Sequence, residues 1–445
     1  MSAEEGLPPR RRLAATLCIA VGIAVTVLDA AMVNVALPGI ARDLGISPAT
    51  ATWVVNAYQL AVVGLLLPFA NLGEVLGFRR VYQAGLSVYV LGALGAGLAP
   101  DLPFLLGCRV LQGVGAAATL SLTAGLIRHT YPASQLGRAI GINAFTVASC
   151  SAIGPSIGAL IITLAGWPFI FLLAVPTGLL VVLVGSRALP EVPPQRRPFD
   201  LAGALLTVLS LASLILGLDL LPVLPLLALP ILALSAGSFW LLLRVELSRP
   251  LPVLPLDLLA IRPVRLAVAA SCCMFGAQAI LYVALPFHLT AAGRSVAEIG
   301  LMVSPWPAAI ALAAPIAGRL SDRVLSAWPC AIGAVAVAGG LGAAALLPPG
   351  PAMWPIMLSL ALAGIGFGSF QAPNNRAMLG HAPRSRAGAA GGMQSTGRVL
   401  GQALGTMLVG VCFHLGLSPA LVIGLATVAA GTAAALSLIR ARGGA

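Results

Sequence analysis

Read for hydropathy, the chain is a succession of long apolar runs parted by short polar breaks. Crossing a hydrocarbon layer takes about 20 mainly apolar residues in a helix. Fourteen runs reach that length, near 13–36, 50–72, 81–99, 103–126, 138–164, 168–186, 201–219, 224–243, 266–290, 298–318, 328–348, 352–372, 388–413 and 417–438. None alternates apolar and polar positions in the manner of an outer-membrane barrel strand, so the predicted fold is all-α and polytopic. Two segments break the rhythm. "LPEVPPQRRPFD" (189–200) is polar and proline-rich, as an exposed linker is, and "RVELSRPLPVLPLDLLAIRPVR" (244–265) reads as a segment along the membrane surface. The chain therefore divides into a tail (1–12), a six-helix bundle (13–187), a linker with two extra spans (188–265) and a second six-helix bundle with a short tail (266–445).

Composition excludes a water-soluble fold. Hydrophobic residues make up 59% of the 445 and charged residues 9%, where a soluble domain carries roughly 25% charged residues. The chain has no lysine, and all 25 basic residues are arginine. With the N-terminus inside, 21 of the 25 lie on the cytoplasmic side; Arg42 and Arg294 fall outside, and Arg109 and Arg398 fall within spans. That is the positive-inside skew. It places both termini in the cytoplasm and requires an even number of crossings. The net charge of +12 is then a matter of topology and anionic lipid headgroups, with no nucleic-acid partner implied. The opening "RRR" before an apolar run resembles a signal peptide, but no small-residue cleavage site closes the run before Asp29, so it reads as a retained first helix. All seven cysteines lie in apolar spans without metal-ligand spacing to a histidine and read as packing residues.

The exception to the apolar rule is Asp29, in "VTVLDAAMVNVALP" (25–38). At the usual helical rise it sits about 24 Å beyond Leu13 and about 13 Å before Pro38, inside the hydrocarbon. An ionised carboxylate there is costly and marks function. Apolar surroundings favour the neutral acid, which suits a proton carrier near neutral pH; the alternative is a structural carboxylate satisfied by its own helix. Arg109, in the fourth run, is a second intramembrane charge, and Gln112 shares its helix face. On its residues alone it reads as a buried counterpart to Asp29 or as an anchor bound to carbonyls, and the sequence leaves contact between Asp29 and Arg109 open.

Other intramembrane polar residues are candidates to line a substrate cavity with Gln112: Asn34, Asn56, Tyr58, Gln59, Asn143, Gln278, Gln371, Asn374, Gln394 and Arg398. Each could instead satisfy a neighbouring helix. "CSAIGPSIG" (150–158) repeats small residues at Cys150, Gly154 and Gly158, a spacing that lets helices approach closely, and Pro155 should kink that span. "ANLGEV" (70–75) and "GRLSDR" (318–323) form a short internal repeat, with Glu74 and Asp322 at equivalent points, as in transporters built from duplicated halves around a central site. Of 13 acidic residues, Asp29 alone lies deep in a span, with Asp219 near the outer end of an inserted helix. That scarcity favours neutral or singly charged amphiphiles as substrates.

These pieces together resemble the major facilitator superfamily, and within it the fourteen-helix drug:proton antiporter family. "LDAAMVNVALP" (28–38), "WVVNAYQL" (53–60), "RVLQGVGAAA" (109–118), "GPSIGA" (154–159) and "QAPNNRAMLGHAPRSRAGAAGGMQSTGRVLGQALG" (371–405) match it in order over nearly the whole chain. The resemblance implies two six-helix bundles plus two inserted helices. It also implies proton coupling at Asp29 and Arg109, and an exporter signature at Gly154, Pro155 and Gly158. Gating loops fall at Glu74, Gly77, Arg79 and Arg80 and again at Gly318, Asp322 and Arg323. The first loop departs from the family pattern at Ala70, Glu74 and Val75, which puts gating strength in doubt rather than the fold. The expectation is a monomeric exporter of small amphiphilic molecules, a multidrug pump of the bacterial inner membrane, driven by the proton gradient without a cofactor. The alternative is a dedicated exporter of one metabolite. An enzyme is disfavoured: there is no lysine for a phosphate-binding loop, and His129, His288, His381 and His414 are scattered.

Overall fold

The computed structural model describes residues 6–132, 135–192, 200–221, 223–247, 256–320, 326–347, 352–381 and 387–442. Its elements among these residues are helices: α1 (Pro9–Asp43), α2 (Pro48–Ala51), α3 (Trp53–Leu76), α4 (Phe78–Gly97), α5 (Leu102–Thr130), α6 (Leu136–Ala165), α7 (Pro168–Leu172), α8 (Ala174–Ala188), α9 (Leu201–Leu220), α10 (Pro225–Leu247), α11 (Leu256–Ala260), α12 (Arg262–Ala291), α13 (Val296–Val303), α14 (Pro305–Leu320), α15 (Ala327–Leu346), α16 (Met353–His381), α17 (Ala387–His414) and α18 (Pro419–Arg442). In lipid every backbone polar group must be satisfied within the protein, and helices do this locally. Each of the fourteen apolar runs lies on this helical framework. Twelve spans among the described residues are long and apolar enough to cross a membrane. Outside that set fall α4, whose Val and Leu are diluted by glycines, Arg79, Arg80 and Gln83, and α6, whose apolar stretch is Ile153–Ala165.

Helices α1 and α3–α8 pack as one group, and α12 and α14–α18 as another. The two are copies. "VALP" occurs at 35–38 and again at 283–286, each proline inside the last turns of its helix. The turns that follow are superposable in their bonds. Leu44 N–H bonds Ile40 O and Gly45 N–H bonds Arg42 O, just as Ala292 N–H bonds His288 O and Gly293 N–H bonds Thr290 O. Gly45 and Gly293 hold φ of +63° and +77°, which an L side chain resists. Ser47 and Ser295 then cap the next helix through their hydroxyls, a satisfaction of orphan N–H groups worth about 1 kcal/mol. The halves also share a close approach. A Cβ on Gly113 of α5 would lie 2.5 Å from Tyr58 O, and one on Gly364 of α16 would meet Trp306 O.

At the end of the bundle that carries the N-terminus, Leu7 N–H bonds Thr130 O and Arg11 bonds the carbonyls of Ala188 and Leu189. At the opposite end the halves meet. Gly300 of α13 lies so close to α6 that a Cβ would come 2.9 Å from Pro155 O.

The inserted helices α9 and α10 pack on each other, and α9 touches both α3 and α17. Asp219 of α9 is 4% exposed and accepts a 2.7 Å hydrogen bond from Trp53 Nε1 at the start of α3. A buried bond to a charged acceptor contributes about 1.5–3 kcal/mol. Trp53→Phe, which leaves the Asp219 carboxylate unpartnered on that side, is therefore expected to lower the thermal midpoint of the purified protein. Asp219→Asn, which can still accept from the indole, is expected to lower it less.

Candidate functional site

Helix α1 brings Asp29 inward among Thr26, Met32 and Val33, and the carboxylate is 1% exposed. Helix α5 brings Arg109, also 1% exposed. The sequence left their contact open; the structure joins them. Arg109 Nη1 donates to Asp29 Oδ2 at 2.7 Å. The same nitrogen donates to Gln112 Oε1 at 2.9 Å, and Arg109 Nε donates to Val54 O of α3 at 2.9 Å. Gln112 Nε2 lies 3.5 Å from the second carboxylate oxygen. Three helices thus converge on one guanidinium. Its carbon stands 4.4 Å over the Tyr58 ring and 5.5 Å from the Phe171 ring, positions in which cation–π attraction adds to the ion pair. Tyr89, buried on α4, donates its hydroxyl to Val25 O at 3.5 Å, one turn of α1 before Asp29.

The pair closes the site electrostatically, with both side chains 1% exposed. Its members sit on different helices, so the 2.7 Å contact opens only if α1 and α5 shift against each other. Gln112 offers Arg109 a neutral partner already in place.

Beside the pair lies a cavity of about 640 Å³ between the halves, within the range of small-molecule sites. Asn34, Tyr58, Gln59, Asn143, Gln278, Gln371, Gln394 and Arg398 line it. The cavity reaches Ala70 on α3 and Ala124 on α5, toward the N-terminus-bearing end, and its other end is where the halves are in contact. Tyr58 belongs to both features: its ring covers Arg109 and the residue lines the cavity.

Three residues expected on the cavity wall are elsewhere. Gln112 is 0% exposed and bound to the ion pair. Asn56 is buried off the cavity in α3. Asn374 donates to Ala267 O and accepts from Arg440 Nη1 at 2.8 Å, tying α12, α16 and α18 together. Gln112 and Asn374 are turned to neighbouring helices, while the Asn56 carboxamide is buried with no hydrogen-bond partner among the described residues. Asp29 does not line the cavity either; Thr26, Ala30 and Ala31 around it do.

The small-residue signature has a local purpose. A Cβ on Gly154 would lie 2.6 Å from Ala31 Cβ, and one on Gly158 2.9 Å from Met32 Cβ. These glycines let α6 press against the stretch of α1 that carries Asp29, with Pro155 between them. In the first loop Arg79 pairs with Glu191 at 2.6 Å, while Arg80 flanks it. Glu74 ends α3, and Gly77 turns the chain into α4 with φ of +97°. Gly318 lies in α14; Asp322 and Arg323 lie outside the described residues. Sequence reading missed Phe171 and Tyr89, which as aromatic residues in apolar runs give no polar signal.

The internal copy carries the same backbone without this chemistry. By the repeat, Asp29, Tyr58, Arg109 and Gln112 correspond to Ala277, Trp306, Leu360 and Ala363, and all four are 0% exposed.

Comparison with known proteins is consistent across sequence and fold. The family model described as Major Facilitator Superfamily matches residues 19–406. The chain is 43% identical over 417 residues to the uncharacterized transporter YebQ of Escherichia coli (strain K12), covering 92% of this chain and 91% of that protein. It is 30% identical to the riboflavin transporter RibZ of Clostridioides difficile (strain 630), covering 88% and 86%. It is 29% identical to the tetracenomycin C resistance and export protein of Streptomyces glaucescens, covering 89% and 74%. In fold it is similar to the POT family transporter PepTSo, with a TM-score of 0.73 over 98% of each chain at 14% identity.

Proposed function

The chain belongs to the Major Facilitator Superfamily, and from that premise we propose that it is a proton-coupled antiporter exporting small amphiphilic compounds. It does so from the bacterial cytoplasm, as a monomer with fourteen spans and both termini inside. The observation that carries this reading is the adjacency of a buried, openable ion pair to a cavity through one shared side chain, Tyr58. Substrate pressing on Tyr58 alters the environment of Arg109. A proton arriving at Asp29 releases Arg109 to Gln112, and α1 is then free to move against α5. The site thereby couples occupancy of the cavity to the charge state of Asp29, as alternating access requires. With the arginine-rich side taken as cytoplasmic, the cavity reaches the cytoplasmic end and the outer end is closed, a state ready to load cargo from inside.

The relatives named for multidrug resistance, tetracenomycin C export and methyl viologen resistance support the export reading. A dedicated exporter of one metabolite is the second reading, favoured by the relative named for riboflavin. In everted vesicles acidified inside, a transported compound added outside is expected to release protons from the lumen of wild-type vesicles and not of vesicles lacking the protein. A panel of amphiphiles separates the readings: several active compounds indicate a multidrug pump, and one or none a dedicated exporter. If a transported compound accumulates with no proton movement, the antiport reading fails.

A further inference from the structure

The charge inventory of the cavity narrows its cargo. Among the described lining residues Arg398 of α17 is the one charged side chain. It makes no hydrogen bond or ion pair with another described residue. Nor does Asp29 offset it, because that carboxylate is off the wall and already paired to Arg109 at 2.7 Å. A guanidinium with no hydrogen-bond or ion-pair partner among the described residues is costly at membrane depth, and arginine keeps its charge. The remaining polar lining is neutral and dominated by carboxamides from both halves, among them Gln59, Gln278 and Gln394. The apolar share includes aromatic rings at Tyr58, Phe275 and Tyr282. No carboxylate on the described wall would neutralise a cation, and Arg398 would repel one.

We propose that Arg398 is a substrate-binding residue and that the cargo is an aromatic monoanion, its carboxylate, phenolate or similar oxygen anion seated on the Arg398 guanidinium. This rests on the reading of the cavity as an export site. A planar guanidinium presents a fork of N–H donors matched to an oxygen anion. The carboxamides accept and donate around the rest of the molecule, and the rings offer faces for a flat apolar body. Tyr58 lines the same cavity as Arg398 and also covers Arg109, so an anion held on Arg398 shares its cavity with the tyrosine that covers the ion pair.

The test is equilibrium dialysis, read by absorbance, on the full-length protein in lipid nanodiscs, with three dyes on one tricyclic frame. They are resorufin at pH 8, a monoanion; its neutral methyl ether; and the 3,7-diaminophenoxazinium cation. Wild type is expected to bind resorufin at least about tenfold more tightly than either of the others, the return for one charge-assisted contact. Arg398→Gln should abolish that preference while leaving the affinity for the methyl ether unchanged, and Arg398→Lys should keep part of it. The wild-type ranking needs no variant, so a poorly folding substitution does not remove the test. Equal or tighter binding of the cation overturns the assignment of an anionic cargo. Equal losses for all three dyes in Arg398→Gln overturn the role of Arg398 as a ligand and make it structural. Failure of monodisperse wild type to bind any dye overturns the export-site reading of the cavity instead.

Discussion

Asp29→Asn is expected to reduce substrate-evoked proton release to background and to destabilise the protein at the same time. The two effects have one origin. The substitution removes the titrating group and leaves Arg109 as a guanidinium buried to 1% exposure with no anion. Breaking a buried pair by removing one partner costs about 3–5 kcal/mol. Arg109→Gln should also stop coupling, yet destabilise less, because the stranded carboxylate can take up a proton whereas a stranded guanidinium cannot lose one. The second half of the molecule supplies the decisive variant. There the same backbone is filled by Ala277, Leu360 and Ala363, all 0% exposed. The triple replacement Asp29→Ala, Arg109→Leu, Gln112→Ala copies that solution. Replacing a buried ion pair by packed apolar groups is often neutral or stabilising, so the triple variant should recover most of the thermal stability lost in Asp29→Asn and none of the transport. Melting curves beside vesicle assays decide it. Coupled transport surviving in Asp29→Asn would remove the pair from the mechanism, and a triple variant less stable than Asp29→Asn would refute the argument from the internal copy.

Gly113→Ala is expected to have the second largest effect. Its new Cβ would lie 2.5 Å from Tyr58 O and 2.6 Å from Ala61 Cβ, and the first of these is backbone that cannot swing aside. Overpacking of this kind costs about 1–3 kcal/mol. The functional cost should exceed the stability cost. Pushing α3 away from α5 displaces Val54 O and the Tyr58 ring, the two groups that hold Arg109 from that side. Gly107→Ala on the same helix meets nothing within 4 Å and should be neutral or slightly stabilising, since alanine is the better helix former by about 1 kcal/mol. Gly364→Ala, the equivalent overpacking in the second half, should cost similar stability while impairing proton coupling less, because no charged pair hangs on that seam. Equal transport loss from Gly113→Ala and Gly364→Ala would show that bundle packing alone, and not the placement of Arg109, sets the rate.

Much of this architecture was legible in the sequence because lipid imposes so few solutions. A run of apolar residues must be a helix, and an acid within it must have a reason. Asp29 and Arg109 stood out on depth alone. Their contact did not, since it depends on how α1 and α5 are rotated and stacked, and neither helix has a strong polar face. The same gap misplaced Gln112, Asn56 and Asn374. A carboxamide in a span does not say whether it faces a cavity, as Gln59 does, or a carbonyl on the next helix, as Asn374 does. The duplication was seen through "ANLGEV" and "GRLSDR" at its weakest point. The stronger signal was "VALP" at 35–38 and 283–286, followed by the glycine and serine that turn and cap the next helix.

Helix α9 has a bearing on how the molecule lives in its membrane. At 20 residues it is about 30 Å long, matched to a typical hydrocarbon core of about 30 Å with nothing to spare. It belongs to neither half, yet it leans on α3 and α17 and is fastened to Trp53 through Asp219 at 2.7 Å. A thicker or thinner bilayer must tilt such a helix or deform around it, each at a modest energy per ångström. That load reaches the seam between the two halves. Under the proposed alternating access, lipid chain length is then an input to the cycle, felt through a helix that belongs to neither half.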